Sequence, residues 1–291
     1  MSVKKAILPV AGFGTRLLPA SKSIPKEMIT VVDRPAIDYV VQEAVEAGID
    51  TIVLVNHPAK QAIENYFDRN AELEALLEKK GKIQLLEQIR SIVPAHVTVV
   101  AVRQAAPLGL GHAVLCAEKV IGDVPFAVLL PDVLVDSQAE NNLAQMIAQF
   151  DANECSQIMV EDVVPERVDQ YGIVKLSEEN GVQSNQIVEL VEKPAVGQAP
   201  STLAVVGRYV FTPQIFKYLK DTTADKSGEI QLTDAMAKLL NEQKIQSFTL
   251  QGDTFDCGSK IGYLKAVAHY ALQREELKDE FRQYLNSIVS H

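Results

Sequence analysis

Apolar residues follow two rhythms that alternate along the first half of the chain. Short, nearly unbroken runs occur at "KKAILPV" (4–10), "TIVLVN" (51–56), "VTVVAVRQ" (97–104) and "FAVLLPD" (126–132). Runs of this length and density predict strands buried on both faces. Between them the spacing changes to that of a helix. Ile37, Val40, Val41, Ala44 and Val45 fall on one helical face, which Gly48 ends. Residues 71–92 predict one long charged helix with a weak point at Gly81, a further helix starts near Gly111, and Leu143, Met146, Ile147 and Phe150 mark another.

The middle of the chain reads differently. "SQIMVEDV" (156–163), "YGIVKLS" (171–177), "NQIVELVEKP" (185–194) and "LAVVGRYVFT" (203–212) predict strands separated by turns or short loops, with "SEENGV" (177–182) as one such turn. "GEIQLTDAMAKLLNEQ" (228–243) returns to helix, "IQSFTLQG" (245–252) to strand, and residues 262–288 close as one long amphipathic helix. The strand–helix alternation implies an α/β fold whose mainly parallel sheet is covered on both faces, made mixed by the strand-rich middle. In such sheets ligands lie beyond the carboxyl ends of the strands, so the residues just after strands matter most. No internal repeat, low-complexity tract or domain linker interrupts the 291 residues.

Composition narrows the function. Apolar residues make up 47% and no run approaches the ~18 needed to span a membrane. The opening "MSVKKAILPVAGFG" is basic and then apolar, but its apolar run stops at a glycine loop with Arg16 and Lys22 behind it, so it reads as a strand and not a signal peptide. Cys116, Cys155 and Cys257 are odd in number and far apart, which fits buried thiols in a reducing cytoplasm rather than disulfides or structural zinc. His57 and His112 have no second ligand at helical spacing. With 38 acids against 28 bases the formal charge is −10, which argues against nucleic-acid binding. An acidic chain can still hold a small anion where its cations gather, and Arg16, Lys22 and Lys26 gather in one loop.

That loop is "VAGFGTRLLPASKSIPKEM" (10–28). It lacks the G-x-x-x-x-G-K-[ST] of a P-loop. It is no dinucleotide fingerprint either, because Leu17 occupies the third glycine position and Pro19 follows. Gly12 and Gly14 allow backbone N–H groups to approach an anion closely, Arg16 supplies a planar fork, and Lys22 and Lys26 supply point charges. Pro19 and Pro25 restrict the backbone. Taken singly these are turn glycines and solvated lysines; as a set they predict phosphate binding.

The same stretch, "PVAGFGTRLLPASKSIPKEM", resembles the signature loop of the sugar-1-phosphate nucleotidyltransferases, G-x-G-T-R followed by P-K-E/P. Its "IPKEM" ending is similar to the bacterial UTP–glucose-1-phosphate uridylyltransferase branch, although "PASK" stands where "PATK" is expected. The likeness continues through "RQ...GLGHAV" (103–114), "LLPD" (129–132), "YGIV" (171–174), "VEKP" (191–194), "VGRYV" (206–210), "EIQLTDA" (229–235) and "DCG" (256–258).

The resemblance implies a Rossmann-like three-layer nucleotidyltransferase fold in a single domain. Its nucleotide-binding part would cover about 1–135, its sugar-binding part about 155–257 and a C-terminal helix about 260–287. It also implies UTP and glucose 1-phosphate as substrates, Mg²⁺ as cofactor, and a homo-oligomer, dimer or tetramer, in which the last helix makes a subunit contact. Arg16 and Lys26 would meet the triphosphate and the departing pyrophosphate, with Lys22 less clearly engaged. Ala11, Gly12, Gly14 and Thr15 would bind the nucleotide, and Gln104 and Gly109 its base, Gln104 being able to donate and accept. Asp132, which ends one strand, and Asp256, which follows "IQSFTLQG", would hold the metal, Asp132 also counting as catalytic. Gly172 and Gly207 would let backbone approach the sugar, Glu192 would bind its hydroxyls, and Lys193 its phosphate as a further catalytic cation. Adjacent strand residues point to opposite faces, so joint use of Glu192 and Lys193 requires a bend, for which Pro194 offers a reason.

Three alternatives stay open at this level. A thymidylyltransferase differs by one methyl group on the base, worth only about 1–3 kcal/mol to a pocket. A catalytically silent homologue would be signalled by loss of Arg16, Lys193 or either aspartate, and all four are present. A dinucleotide-dependent oxidoreductase is disfavoured by the missing third glycine and by the absence of an obvious ribose-binding acid after the second strand.

Overall fold

The unbroken apolar runs of the first half become adjacent parallel strands whose side chains enter two separate cores. A computed structural model describes residues 2–179 and 181–289. In the strand Lys5–Pro9, Ala6 and Leu8 enter the core on one sheet face and Ile7 that on the other. Ile52 and Leu54 alternate with Val53 and Val55, and Ala127 and Leu129 with Phe126 and Val128, in the same way. The first core is closed by the helices Ala36–Glu46 and Asn142–Asn153, the second by Leu110–Cys116, Ile215–Lys220 and Leu232–Leu239. A strand buried on both faces needs apolar residues at every position, and that is what the sequence supplies.

The central sheet runs in the order Thr98–Arg103, Thr51–Asn56, Lys5–Pro9, Phe126–Leu129, Leu203–Phe211, Ser156–Asp162, Ile245–Thr249, Val182–Glu192, Gly172–Glu179. Its first four strands are parallel. Leu203–Phe211 opposes both neighbours, Ser156–Asp162 and Ile245–Thr249 are parallel, and Val182–Glu192 opposes the strands on either side of it. Every strand of this sheet except Leu203–Phe211 and Val182–Glu192 therefore points the same way. The result is the expected three-layer α/β fold with a mixed, mainly parallel sheet. The turn expected at 177–182 includes Asn180, which lies outside the described residues.

Four expectations change in detail. Residues 71–92 form two helices, Ala71–Lys79 and Ile83–Arg90, because Gly81 takes a φ of +67° and ends the first as a helix stop. The closing helix is also two, Lys260–Gln273 and Lys278–Val289. Arg274 leaves helical geometry at the break, and its guanidinium reaches Asp33 at 2.5 Å. The helix expected from Gly228 begins only at Leu232, since Ile230 instead bonds through its backbone to Leu108 and Gly111, both at 2.8 Å. Finally, "IQSFTLQG" ends as a main-sheet strand at Thr249, and a new strand, Gly252–Asp256, pairs antiparallel with Val133–Ser137 in a small separate sheet.

Leu54, at 0% exposure, lies in the middle of the first core. Leu54→Ala is expected to lower unfolding stability by about 2–5 kcal/mol, read as a shift of the urea midpoint with an unchanged slope.

Candidate active site

Residues at the carboxyl ends of the parallel strands meet beyond the middle of the sheet. Lys5–Pro9 leads into Val10, Ala11 and Gly12, and then into three short 3₁₀ turns, Thr15–Leu17, Ala20–Lys22 and Lys26–Met28. The loop folds back on itself at Gly14, where a β-carbon would lie 3.0 Å from Cβ of Lys26. The missing side chain leaves room for the Lys26 stem, whose Nζ then reaches Oδ2 of Asp132 at 2.5 Å. Arg16 lies beside it, its guanidinium 3.2 Å from Asp256 and 3.9 Å from Asp132.

The small antiparallel sheet brings the two acids together. Asp132 immediately precedes one of its strands and Asp256 ends the other, and Asp256 sits opposite Val133 in the register. The backbone N–H of Cys257 donates to the carbonyl of Asp132 at 2.7 Å. Gly258 shows how closely the groups converge. A β-carbon placed there would lie 2.8 Å from Oδ2 of Asp132, 2.9 Å from Oδ1 of Asp256 and 2.9 Å from Arg16.

Burial alone would raise the Asp132 carboxyl, but Lys26, through charge and hydrogen bond, and then Arg16 hold it below the usual carboxylate range. Burial would likewise depress the Lys26 ammonium, and Asp132 and Glu27 instead hold it above its ordinary value. Both shifts describe one ion pair that keeps its charges. Behind it, Glu27 is fully buried and accepts from Lys60 Nζ at 2.8 and 3.0 Å, and the same ammonium donates to the carbonyl of Val10 at 2.8 Å. The loop is thus tied to the end of the first strand from below.

Two clefts open on either side of this charged centre. Ala11, Gly12, Lys26, Gln104 and Gly109 line one, Arg16, Tyr171, Val206 and Asp256 the other, and Leu130 and Asp132 belong to both. In the first, Gln104 is 4% exposed and its Nε2 donates to the carbonyl of Gly109 at 3.1 Å. The same nitrogen lies 3.0 Å from Nδ1 of His112. With Nε2 turned to Gly109, the carbonyl oxygen of the amide is the acceptor available to a ligand. Turning the amide over would oppose two carbonyl oxygens at Gly109. Gly14 and Thr15 line neither cleft, and Lys22 is exposed.

Glu192 and Lys193 lie at the end of the strand Val182–Glu192. Oε2 of Glu192 accepts from the Thr233 hydroxyl at 2.7 Å and lies 3.3 Å from where a β-carbon on Gly172 would stand. Lys193 takes a φ of +44°, so the bend sits at Lys193 itself, one residue before Pro194. Its ammonium is 3.4 Å from Glu192. Gly172, Glu192, Lys193 and Gly207 are absent from the linings of the two clefts, whereas their neighbours Tyr171 and Val206 are present in the second.

Several polar groups went unread in the sequence. Glu27 stood in plain view within "PKEM", but nothing marked Lys60 as its partner. Glu161, which accepts from Thr254 at 2.9 Å in the second cleft, also lay outside every motif. Nor did periodicity distinguish Arg208, 0% exposed, from its apolar neighbours in the strand.

Residues 5–273 match the family described as nucleotidyl transferase. The chain belongs to that family. The nucleotidyl transferase is 50% identical over 291 residues to a UTP–glucose-1-phosphate uridylyltransferase of Haemophilus influenzae, with 98% of this chain and 99% of the relative covered. Among solved structures, a UTP-bound UGPase from Acinetobacter baumannii superimposes with a TM-score of 0.90 at 57% identity, covering 97% of this chain and 98% of that one. A UDP-glucose pyrophosphorylase complexed with UDP-glucose superimposes at 0.84 and 40% identity, covering 94% and 100%. No helix among the described residues of the nucleotidyl transferase is long and apolar enough to cross a membrane.

Because the Asp132 carboxyl is depressed in the folded state, its contribution to stability is present above the unfolded pKa of about 4 and is lost as pH falls through the folded value. In metal-free protein, Asp132→Asn should therefore lower the urea midpoint at neutral pH, and the gap to the wild type should narrow below pH ~4. A gap that persisted undiminished into strong acid would contradict the ion pair.

Proposed function

We propose that the chain transfers the uridylyl group of UTP to glucose 1-phosphate, giving UDP-glucose and pyrophosphate. The observation that carries this is the convergence of Lys26, Arg16, Asp132 and Asp256 where the two clefts meet. The full-length relatives named for this activity support the choice of substrates.

In this reading an oxygen of the sugar phosphate attacks the α-phosphorus of UTP in line, the bond to the β-phosphate oxygen breaks, and pyrophosphate carries away the electron pair. No covalent enzyme intermediate is needed, so the protein contributes position and charge. Arg16 and Lys26 bind the triphosphate and stabilise the departing pyrophosphate. Backbone groups of Ala11, Gly12 and Gly109 hold the nucleoside, with Gly14 and Thr15 shaping the phosphate loop. Glu192, oriented by Thr233, takes sugar hydroxyls, Lys193 takes the sugar phosphate, and Gly172 and Gly207 offer backbone to the ring, although the space beside Gly207 is filled by Leu130.

The carbonyl oxygen of Gln104 accepts the N3–H of uracil. Cytosine presents an acceptor at that position, and two opposed acceptors in a buried pocket cost far more than one missing methyl group. This gives UTP its advantage over CTP.

Asp132 and Asp256 are assigned to Mg²⁺. The two carboxylates converge beside Gly258 as a pair of hard oxygen donors with Arg16 next to them, and among the described residues no third acid, histidine or cysteine joins them. That set fits an ion which prefers one or two carboxylates and fills its shell with water and substrate phosphate. Bound there, Mg²⁺ would supply charge neutralisation to the phosphates.

The nucleotide part is assigned to about 1–135 and the sugar part to about 155–257. A homo-oligomer is proposed, with Tyr284 and Ile288, exposed on the last helix, available for a subunit contact. A cytoplasmic setting suits three free thiols.

A coupled pyrophosphate assay across UTP, dTTP, CTP and ATP with several sugar 1-phosphates tests the reaction. UTP with glucose 1-phosphate should give the highest kcat/KM; preference for dTTP would refute the named nucleotide, and silence with every pair would refute the activity. Arg16→Ala should lower kcat about 10- to 100-fold, the worth of one charge-assisted hydrogen bond, with cooperative unfolding retained. Unchanged turnover would remove Arg16 from the centre.

A further inference from the structure

We propose that Arg208 is a positioning residue for the reacting centre: its buried guanidinium fixes the turn that carries Asp132 and so sets where that carboxylate meets Lys26 and Arg16. The inference rests on the reading that Asp132 belongs to the centre of a uridylyl transfer.

Arg208 lies in the strand Leu203–Phe211 and is 0% exposed. Burying a guanidinium is costly unless all of its donors find partners, and an apolar replacement of similar volume is often no less stable. Its N–H groups are all engaged. Nε and Nη2 grip the carboxylate of Glu43 at 2.9 and 2.7 Å. Nη2 also donates to the carbonyl of Val133 at 2.7 Å, and Nη1 to the carbonyls of Leu130 at 3.2 Å and Gly207 at 3.4 Å.

Two of these acceptors bracket Asp132. Leu130 begins the turn and Val133 closes it, with the N–H of Val133 returning to the Leu130 carbonyl at 3.3 Å. The turn is held again by the Leu130 N–H, which donates to Gly207 at 2.9 Å. Gly207 adopts a φ of +84°, and a β-carbon there would lie 2.7 Å from Cδ1 of Leu130, so only glycine lets the Leu130 side chain lie against this strand. Glu43 supplies the counter-charge from the helix Ala36–Glu46. The guanidinium therefore joins three elements at one point, directly behind the residue whose side chain faces both clefts.

Arg208 itself lines neither cleft. Its effect is on geometry: a reacting group misplaced by about 1 Å can lose about two orders of magnitude in rate. Lysine cannot replace the fork, because one ammonium cannot span Glu43 and the two carbonyls together.

The test compares full-length wild type, Arg208→Lys and Leu239→Ala. The last is a control for lost stability, since Leu239 is 0% exposed in the second core and lines neither cleft. Turnover is measured with UTP and glucose 1-phosphate, and UTP binding by calorimetry without the sugar. Arg208→Lys should lower kcat about 30- to 100-fold while KM and the UTP Kd stay within about threefold. Leu239→Ala should keep its kcat per folded molecule.

A kcat loss in Arg208→Lys no greater than in Leu239→Ala would overturn the inference. So would parallel loss of kcat and UTP binding, which would mean a general collapse of the site. If Arg208→Lys does not fold, Glu43→Gln replaces it: kcat should fall about fivefold at unchanged UTP affinity, and an unaltered kcat would overturn the inference. A wild type that binds UTP but releases no pyrophosphate would instead overturn the proposed reaction, and this role with it.

Discussion

Everything at the candidate centre depends on the antiparallel pairing of Val133–Ser137 with Gly252–Asp256. Asp132 and Asp256 are 124 positions apart in the chain, and no local element could bring them together. Five register pairs in a two-stranded sheet do so, and the Cys257 N–H adds a bond to the carbonyl of Asp132. A pair of strands so short would be marginal alone. Here it is held by the first core, which includes Leu134, Phe255 and Cys257.

Charge explains the loop opposite. A chain of net charge −10 gathers two cations at one place only if each has a nearby opposite charge. Arg16 and Lys26 find theirs in the two aspartates, and Glu27 finds its own in Lys60. Buried carboxylates and ammonium groups of this kind contribute less to stability than to fixed position, because their desolvation cost offsets much of their attraction. Pro19 and Pro25 serve the same end by restricting the loop backbone, and Gly14 leaves the Lys26 stem its place.

The strand and helix alternation and the glycine-and-cation pattern of the opening loop were legible because each is local. Periodicity of two or of about three and a half residues is written in adjacent positions, and so is the glycine-and-cation pattern from Gly12 to Lys26. The breaks in the long helices were legible only in part. Gly81 announces its stop, whereas the break at Arg274 follows from a distant partner, Asp33. The small sheet was hidden because "VLVDS" and "GDTFD" are short and carry polar residues, so neither looks like a strand without the other. Beyond Arg16, Lys26, Asp132 and Asp256, which the resemblance had already gathered at one centre, long-range polar pairings were not legible. Lys60 with Glu27, His112 with Gln104 and Arg208 with Glu43 join residues whose partners only the fold chooses.

The contact between Lys26 and Asp132 has a consequence for how the molecule meets dissolved salt. It joins the loop behind the first strand to the turn before the small sheet, 106 positions away in the chain. The two side chains are only 18% and 13% exposed, so mobile ions screen this pair far less than the ion pairs on the outer surface. Salt that loosens those outer pairs leaves this latch closed.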